Sequence, residues 1–156
     1  MATLEEQAKN LRKINVESEV SKALTLLDDI LVDYNQGQLS DGRNNLGNLI
    51  GRYTKYTEAA ALMSGISNKT EGDAYNFVWT GEFFKAFKAK QISGGVELTS
   101  GVSYLKDIQR LGSRNRAQDK LFGLSKENMQ DFIQKVLLPK VNSMISIDPN
   151  NRGFFG

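Results

Sequence analysis

Residues 77–87 read FVWTGEFFKAF, and five of these eleven positions are aromatic: Phe77, Trp79, Phe83, Phe84 and Phe87. The rest of the chain is sparse in aromatics, with eight Phe, five Tyr and one Trp in all 156 residues. A stretch this dense is either a core anchor or a binding surface, because aromatic side chains carry the largest apolar area of any residue. Thr80-Gly81 interrupts it, which argues against one long strand. The spacing instead predicts a short helical turn. Thr80 caps it, Gly81 lets the chain change direction after Trp79, and Phe83 and Phe87 share one face with Phe84 beside them. That arrangement favours core.

Beyond the aromatic run the pattern changes to alternation. Phe87–Ile92 and Val96–Thr99 each place apolar and polar residues in turn, and Gly94-Gly95 lies between them, so a β-hairpin is expected. Helical patterns occupy both ends of the chain. From about 17 to 36, Val20, Leu24, Leu27, Leu31 and Tyr34 recur at spacings of four and three, which predicts one long helix ending near Gly37. Ala23, Leu26 and Ile30 widen its stripe, so it is expected against a core or a neighbouring chain. The final helix starts at Ser125, a good N-cap, and turns Met129, Phe132, Ile133, Val136, Leu137, Val141, Met144 and Ile145 inward. Pro139 falls inside that pattern and predicts a kink or a break, because its ring clashes with the Lys135 carbonyl.

Between these elements lie a glycine-rich loop over 37–54, a short Ala-rich helix over 57–64, an exposed loop over 65–75 and a short helix over 102–111. The fold class expected is α+β in a single domain, 1–156: a small antiparallel hairpin packed with a long N-terminal helix and a C-terminal helix. Residues 1–15 form an N-terminal arm or short helix. Residues 146–156 form a tail whose Phe154 and Phe155 are expected to dock on the body or on another subunit.

Composition closes several doors. There is no Cys and no His, which excludes disulfide scaffolds, Cys/His zinc sites, thiol nucleophiles and His-dependent triads. No apolar run approaches the roughly 18 residues that span a bilayer, and the polar start lacks a secretory pattern. No membrane contact and an intracellular site of synthesis are therefore expected. The net charge is only +2, but its distribution is uneven. Five acids (Glu17, Glu19, Asp28, Asp29, Asp33) face one base between 17 and 33, while five bases (Lys106, Arg110, Arg114, Arg116, Lys120) face two acids between 106 and 120. These are two solvated faces or two complementary ones, between copies or with neighbours.

No catalytic pair emerges. Asp28 and Asp29 are adjacent and diverge by about 100° on a helix. Glu71 and Asp73 lack the spacing of a calcium loop. Glu82 stands alone among aromatics, and Tyr53, Tyr56 and Tyr104 have no activating base. The glycine-rich stretch matches neither phosphate-binding pattern, GxxxxGK[ST] or GxGxxG. No enzyme activity, metal or cofactor is expected. The basic segment leaves one further possibility, contact with nucleic-acid phosphates.

Three segments in order, SDGRNNLGNLIGRYT (40–54), VWTGEFFKAF (78–87) and LFGLSKENMQDFIQKVLLPKV (121–141), carry a resemblance. Together they are similar to small virion morphogenesis proteins of tailed bacteriophages, of the neck or tail-completion type seen in phages of Bacteroides-type hosts, including crAss-like phages. The resemblance rests on Asp41, Leu46, Gly47 and Tyr53-Thr54; on Thr80, Gly81, Glu82, Phe83, Phe84, Lys85, Ala86 and Phe87; and on Phe122, Gly123, Leu124, Ser125, Lys126, Glu127 and Asn128 with Leu138 and Pro139. It spans roughly residues 17–145. Extra residues separate Gly47 from Tyr53, and an Ala-rich TEAAALMSG stands where the pattern is usually basic. The resemblance implies a ring, of roughly six or twelve copies, between portal and tail in the virion. It implies other connector, portal or tail proteins as partners, with DNA a further one where it passes through a lumen. Asp28, Asp29, Asp33, Arg110, Arg114, Arg116, Lys120, Phe154 and Phe155 are then the expected subunit interface.

Overall fold

The structure is a computed structural model that describes residues 3–6, 9, 15–112 and 120–147. Arg114, Arg116, Phe154 and Phe155, and most of the arm and the tail, lie outside the described residues. Among the described residues are seven α-helices and one two-stranded antiparallel sheet, so the fold is mixed helix and strand with a helix at the C-terminal end.

The first helical region is two helices rather than one. Helix α1 spans Val16–Leu26 and α2 spans Asp28–Ser40. Asn15 caps α1, its side-chain oxygen accepting from the Ser18 amide at 3.1 Å. Leu27 stands between the helices at φ −115°, and its amide bonds back to the Leu24 carbonyl, one residue tighter than a helical bond. The bend leaves the stripe continuous, since Leu27 and Leu31 are both buried. Asp28 and Asp29 fall in the first turn of α2, where the helix dipole favours acids, and the Asp28 carboxylate accepts from the Asp29 amide at 2.8 Å.

Helix α2 also runs past Gly37. Its last turn is held because Leu39 is fully buried and Gln38 nearly so. It ends at Ser40, and the chain turns away at Gly42, whose φ is +71° and where a Cβ would meet the Tyr75 carbonyl oxygen at 2.7 Å. Here glycine serves both the turn and the close approach. Helix α3 spans Lys55–Met63, capped by Thr54.

The aromatic run forms the short helix α4, Glu82–Lys85, entered through Gly81 at φ +85°. Strands β1, Phe87–Ile92, and β2, Gly95–Ser100, come directly after it. Their register pairs Ile92 with Gly95, so the turn is Ser93-Gly94, one residue earlier than expected. The alternation sorts Phe87, Ala89, Val96, Leu98 and Ser100 to the covered face and Lys88, Lys90 and Glu97 to solvent. Helix α2 packs across β1, and the Ser100 hydroxyl donates to the Phe83 carbonyl at 2.8 Å. Helix α5 spans Leu105–Gly112.

Helix α6, Lys126–Phe132, starts at Ser125, whose hydroxyl accepts from the Asn128 amide. The chain then widens into a π-helical segment, Ile133–Leu137, and continues as α7, Leu138–Ile147. Pro139 is thus accommodated without a break. The wider turn immediately before it, closed by the Leu138 amide on the Ile133 carbonyl, relieves the ring's conflict with the preceding carbonyls. Helix α7 returns along α1. The core is Leu27, Leu31, Leu39, Ile50, Phe83, Phe87, Leu98, Leu121, Leu124 and Phe132.

Candidate functional site

Phe83 is the centre of a chain of rings. Its neighbours are Phe77 at 6.0 Å, Phe84 at 5.3 Å, Phe87 at 5.7 Å and Phe122 at 6.3 Å between centroids. On one side the chain enters the core through Phe87 and Phe122. On the other it passes through Phe77 and Tyr75 to Tyr53 and lines a pocket of about 370 Å³. The remaining walls are Thr57 of α3, Trp79, Thr80 and Gly81 before α4, and Tyr104 and Ile108 at α5. Pockets of this size and aromatic character are typical small-ligand sites.

Lys69 belongs to the wall of this pocket. The 65–75 loop is exposed for most of its length, but Lys69 keeps only 4% of its surface. Its ammonium donates to the Tyr53 hydroxyl at 2.8 Å and to the Asn76 side-chain oxygen, and lies 4.8 Å from the centre of the Tyr53 ring. Tyr53 in turn donates to Asn76 Oδ1 and accepts from the Asn76 amide, each at 2.9 Å. Asn76 Oδ1 also accepts from the Val78 amide at 3.0 Å. These bonds flank Phe77, which has φ +55°, a conformation bulky residues seldom adopt. The triad holds Phe77 in place between Tyr75 and Phe83.

No carboxylate pairs with Lys69 among the described residues. Burial pushes its amine down to about 8, with no compensating neighbour. Burial raises the Tyr53 phenol, an effect partly opposed by backbone hydrogen bonds. At neutral pH the site therefore presents a buried ammonium, bound to neutral partners only, facing an aromatic pocket. An ammonium has three donors, and two of them are occupied.

A second polar centre is structural. Asn35 and Gln38, both buried on α2, hold the backbone of 121–125. Asn35 donates to the Gly123 carbonyl at 3.1 Å and accepts from the Gly123 amide at 3.3 Å. Gln38 donates to the carbonyls of Asn44 and Gly123 and accepts from the Ser125 amide at 2.8 Å. Gly123, at φ +116°, completes the turn.

The sequence-derived site residues divide into groups. Tyr53, Thr80, Gly81 and Phe83 line the aromatic pocket. Phe84, Phe87 and Phe122 extend the ring chain into the core, and Gly47, at φ +80°, turns the loop below Ser125. Pro139 is exposed on α7. Asp29 and Asp33 are exposed and Asp28 half-buried on α2. Arg110 and Lys120 line a separate cleft of about 850 Å³ with Lys106, where Arg110 also lies 3.7 Å from Asp107. Lys69, Asn76, Asn35 and Gln38 escape sequence reasoning, since a lysine in a polar loop and amides in a helix carry no pattern of their own. No family model, curated protein or solved structure matches this chain.

Proposed function

We propose that this chain is a structural virion protein of a tailed phage. It forms a ring in the head–tail connector, neck or tail-completion region and joins portal to tail. Beside the resemblance of its motifs, one observation carries the reading: apolar surface left uncovered on separate helices. On α3, Ala61 is fully buried, while Tyr56, Ala59 and Met63 lie on the opposite side. Tyr56 keeps 84% and Met63 90% of its surface. On the α1–α2 pair, Leu26 and Ile30 also stay exposed, beside the acids Asp29 and Asp33. Two unlike patches are what a heterologous, ring-closing contact requires.

The purified chain should run as a closed oligomer in light scattering and appear as rings in negative stain, and antibodies should find it in virions. A strictly monomeric protein absent from virions would overturn the reading.

A second reading comes from the cleft that gathers Lys106, Arg110 and Lys120: contact with nucleic-acid phosphates. It requires DNA binding that weakens steeply with salt. Absence of binding to DNA and RNA at low salt removes it.

A further inference from the structure

We propose that the aromatic pocket beside Lys69 is a binding site for a small apolar monocarboxylate, an aryl or alkyl acid whose body fills the pocket and whose carboxylate meets the Lys69 ammonium. The inference is independent of ring assembly.

Three observations converge. The walls are apolar and largely aromatic: Tyr53, Tyr75, Phe77, Trp79, Phe83 and Tyr104. Among the described residues the buried lysine has no counter-charge, although buried charges are ordinarily paired. Its two engaged donors meet a phenol and an amide, which leaves a third for a ligand. The pocket thus lacks one thing, an anion, and offers an apolar enclosure for whatever carries it. A single cation with no arginine beside it suits one carboxylate better than a phosphate dianion, which arginine clusters commonly bind. Tyr53 meets the ammonium directly, the other titratable groups lining the pocket are the phenols of Tyr75 and Tyr104, and no acid lines it among the described residues.

The full chain is titrated calorimetrically with 4-phenylbutyrate and with its neutral isostere 4-phenylbutanamide. At pH 7 the carboxylate should bind about ten-fold or more tightly than the amide, as for a charge-assisted hydrogen bond. Lys69→Met keeps the chain length and should abolish that preference. In the unaltered protein the preference should shrink between pH 6.5 and pH 9.5 as the amine loses its proton, so the test stands even where the variant folds poorly. Trp79→Ala, at the half-exposed rim, should weaken both probes and leave their ratio unchanged. Equal affinity for the two probes, binding of neither, or a carboxylate preference that survives both Lys69→Met and pH 9.5 would overturn the proposal.

Discussion

Phe83 keeps 3% of its surface and touches four other rings. Its ring joins the core to the pocket, so its loss opens a void that neighbours on two sides must fill. Phe83→Ala should cost about 3–5 kcal/mol, read by urea denaturation, and a cost near zero would place the stretch on the surface. Lys69 acts in the opposite sense, as a burial that costs stability. The unfolded chain holds the lysine proton up to about 10.5, whereas the folded chain releases it from about 8. Between those values the unfolded state binds more protons, so stability rises with pH. The cost is fully present below pH 8 and is relieved by roughly 3 kcal/mol in total as the pH approaches 10.5. The difference between the natural protein and Lys69→Met isolates this rise from tyrosine ionisation. Parallel pH profiles for the two proteins would show that Lys69 is not the source.

At the scale of elements, the hairpin, the Ala-rich helix and the Ser125 cap were legible because each depends on neighbours in sequence: alternation, propensity and a capping side chain. The division of the first helix was not legible from periodicity, because the stripe through Leu24, Leu27 and Leu31 survives the bend. Its trace was the Asp28-Asp29 pair, whose acids suit a new helix start better than a helix middle. The run past Gly37 was hidden for another reason. Glycine weakens a helix locally by about 1 kcal/mol, but Leu39 and Gln38 anchor the last turn, Gln38 through bonds to residues more than eighty positions away. The pocket was half legible: its aromatics stood out, and its lysine did not. The FGLSKEN backbone is held from far away in sequence as well, by the side chains of Asn35 and Gln38 on α2. Replacing Asn35 with Leu would strand the Gly123 amide and the Leu121 carbonyl, while the Gly123 carbonyl keeps its bond from Gln38. It should cost about 2–4 kcal/mol. A loss under about 0.5 kcal/mol, typical of surface changes, would mean the amide is not a tether.

For the whole molecule, the question is what α3 does. It meets the body through its buried side and presents Tyr56, Ala59 and Met63 outward, with Leu62 at the flank of the same stripe. Isolated exposed apolar residues need no explanation, but an aligned set on one helix is a candidate contact. Removing that set separates assembly from folding. Tyr56 and Met63 keep nearly all of their surface exposed, so Tyr56→Ser with Met63→Ser should change subunit stability by no more than roughly 0.5 kcal/mol per site. If α3 supplies one half of the ring contact, the same double substitution should convert the oligomer to monomer in light scattering at concentrations where the natural chain is assembled. The circular dichroism and melting of the subunit should be retained. A matched control, Lys88→Ser with Lys90→Ser on the solvent face of the hairpin, should leave the oligomer intact. An oligomer that survives the α3 substitutions would exclude this stripe from the ring contact and leave Leu26 and Ile30 as the remaining apolar candidates.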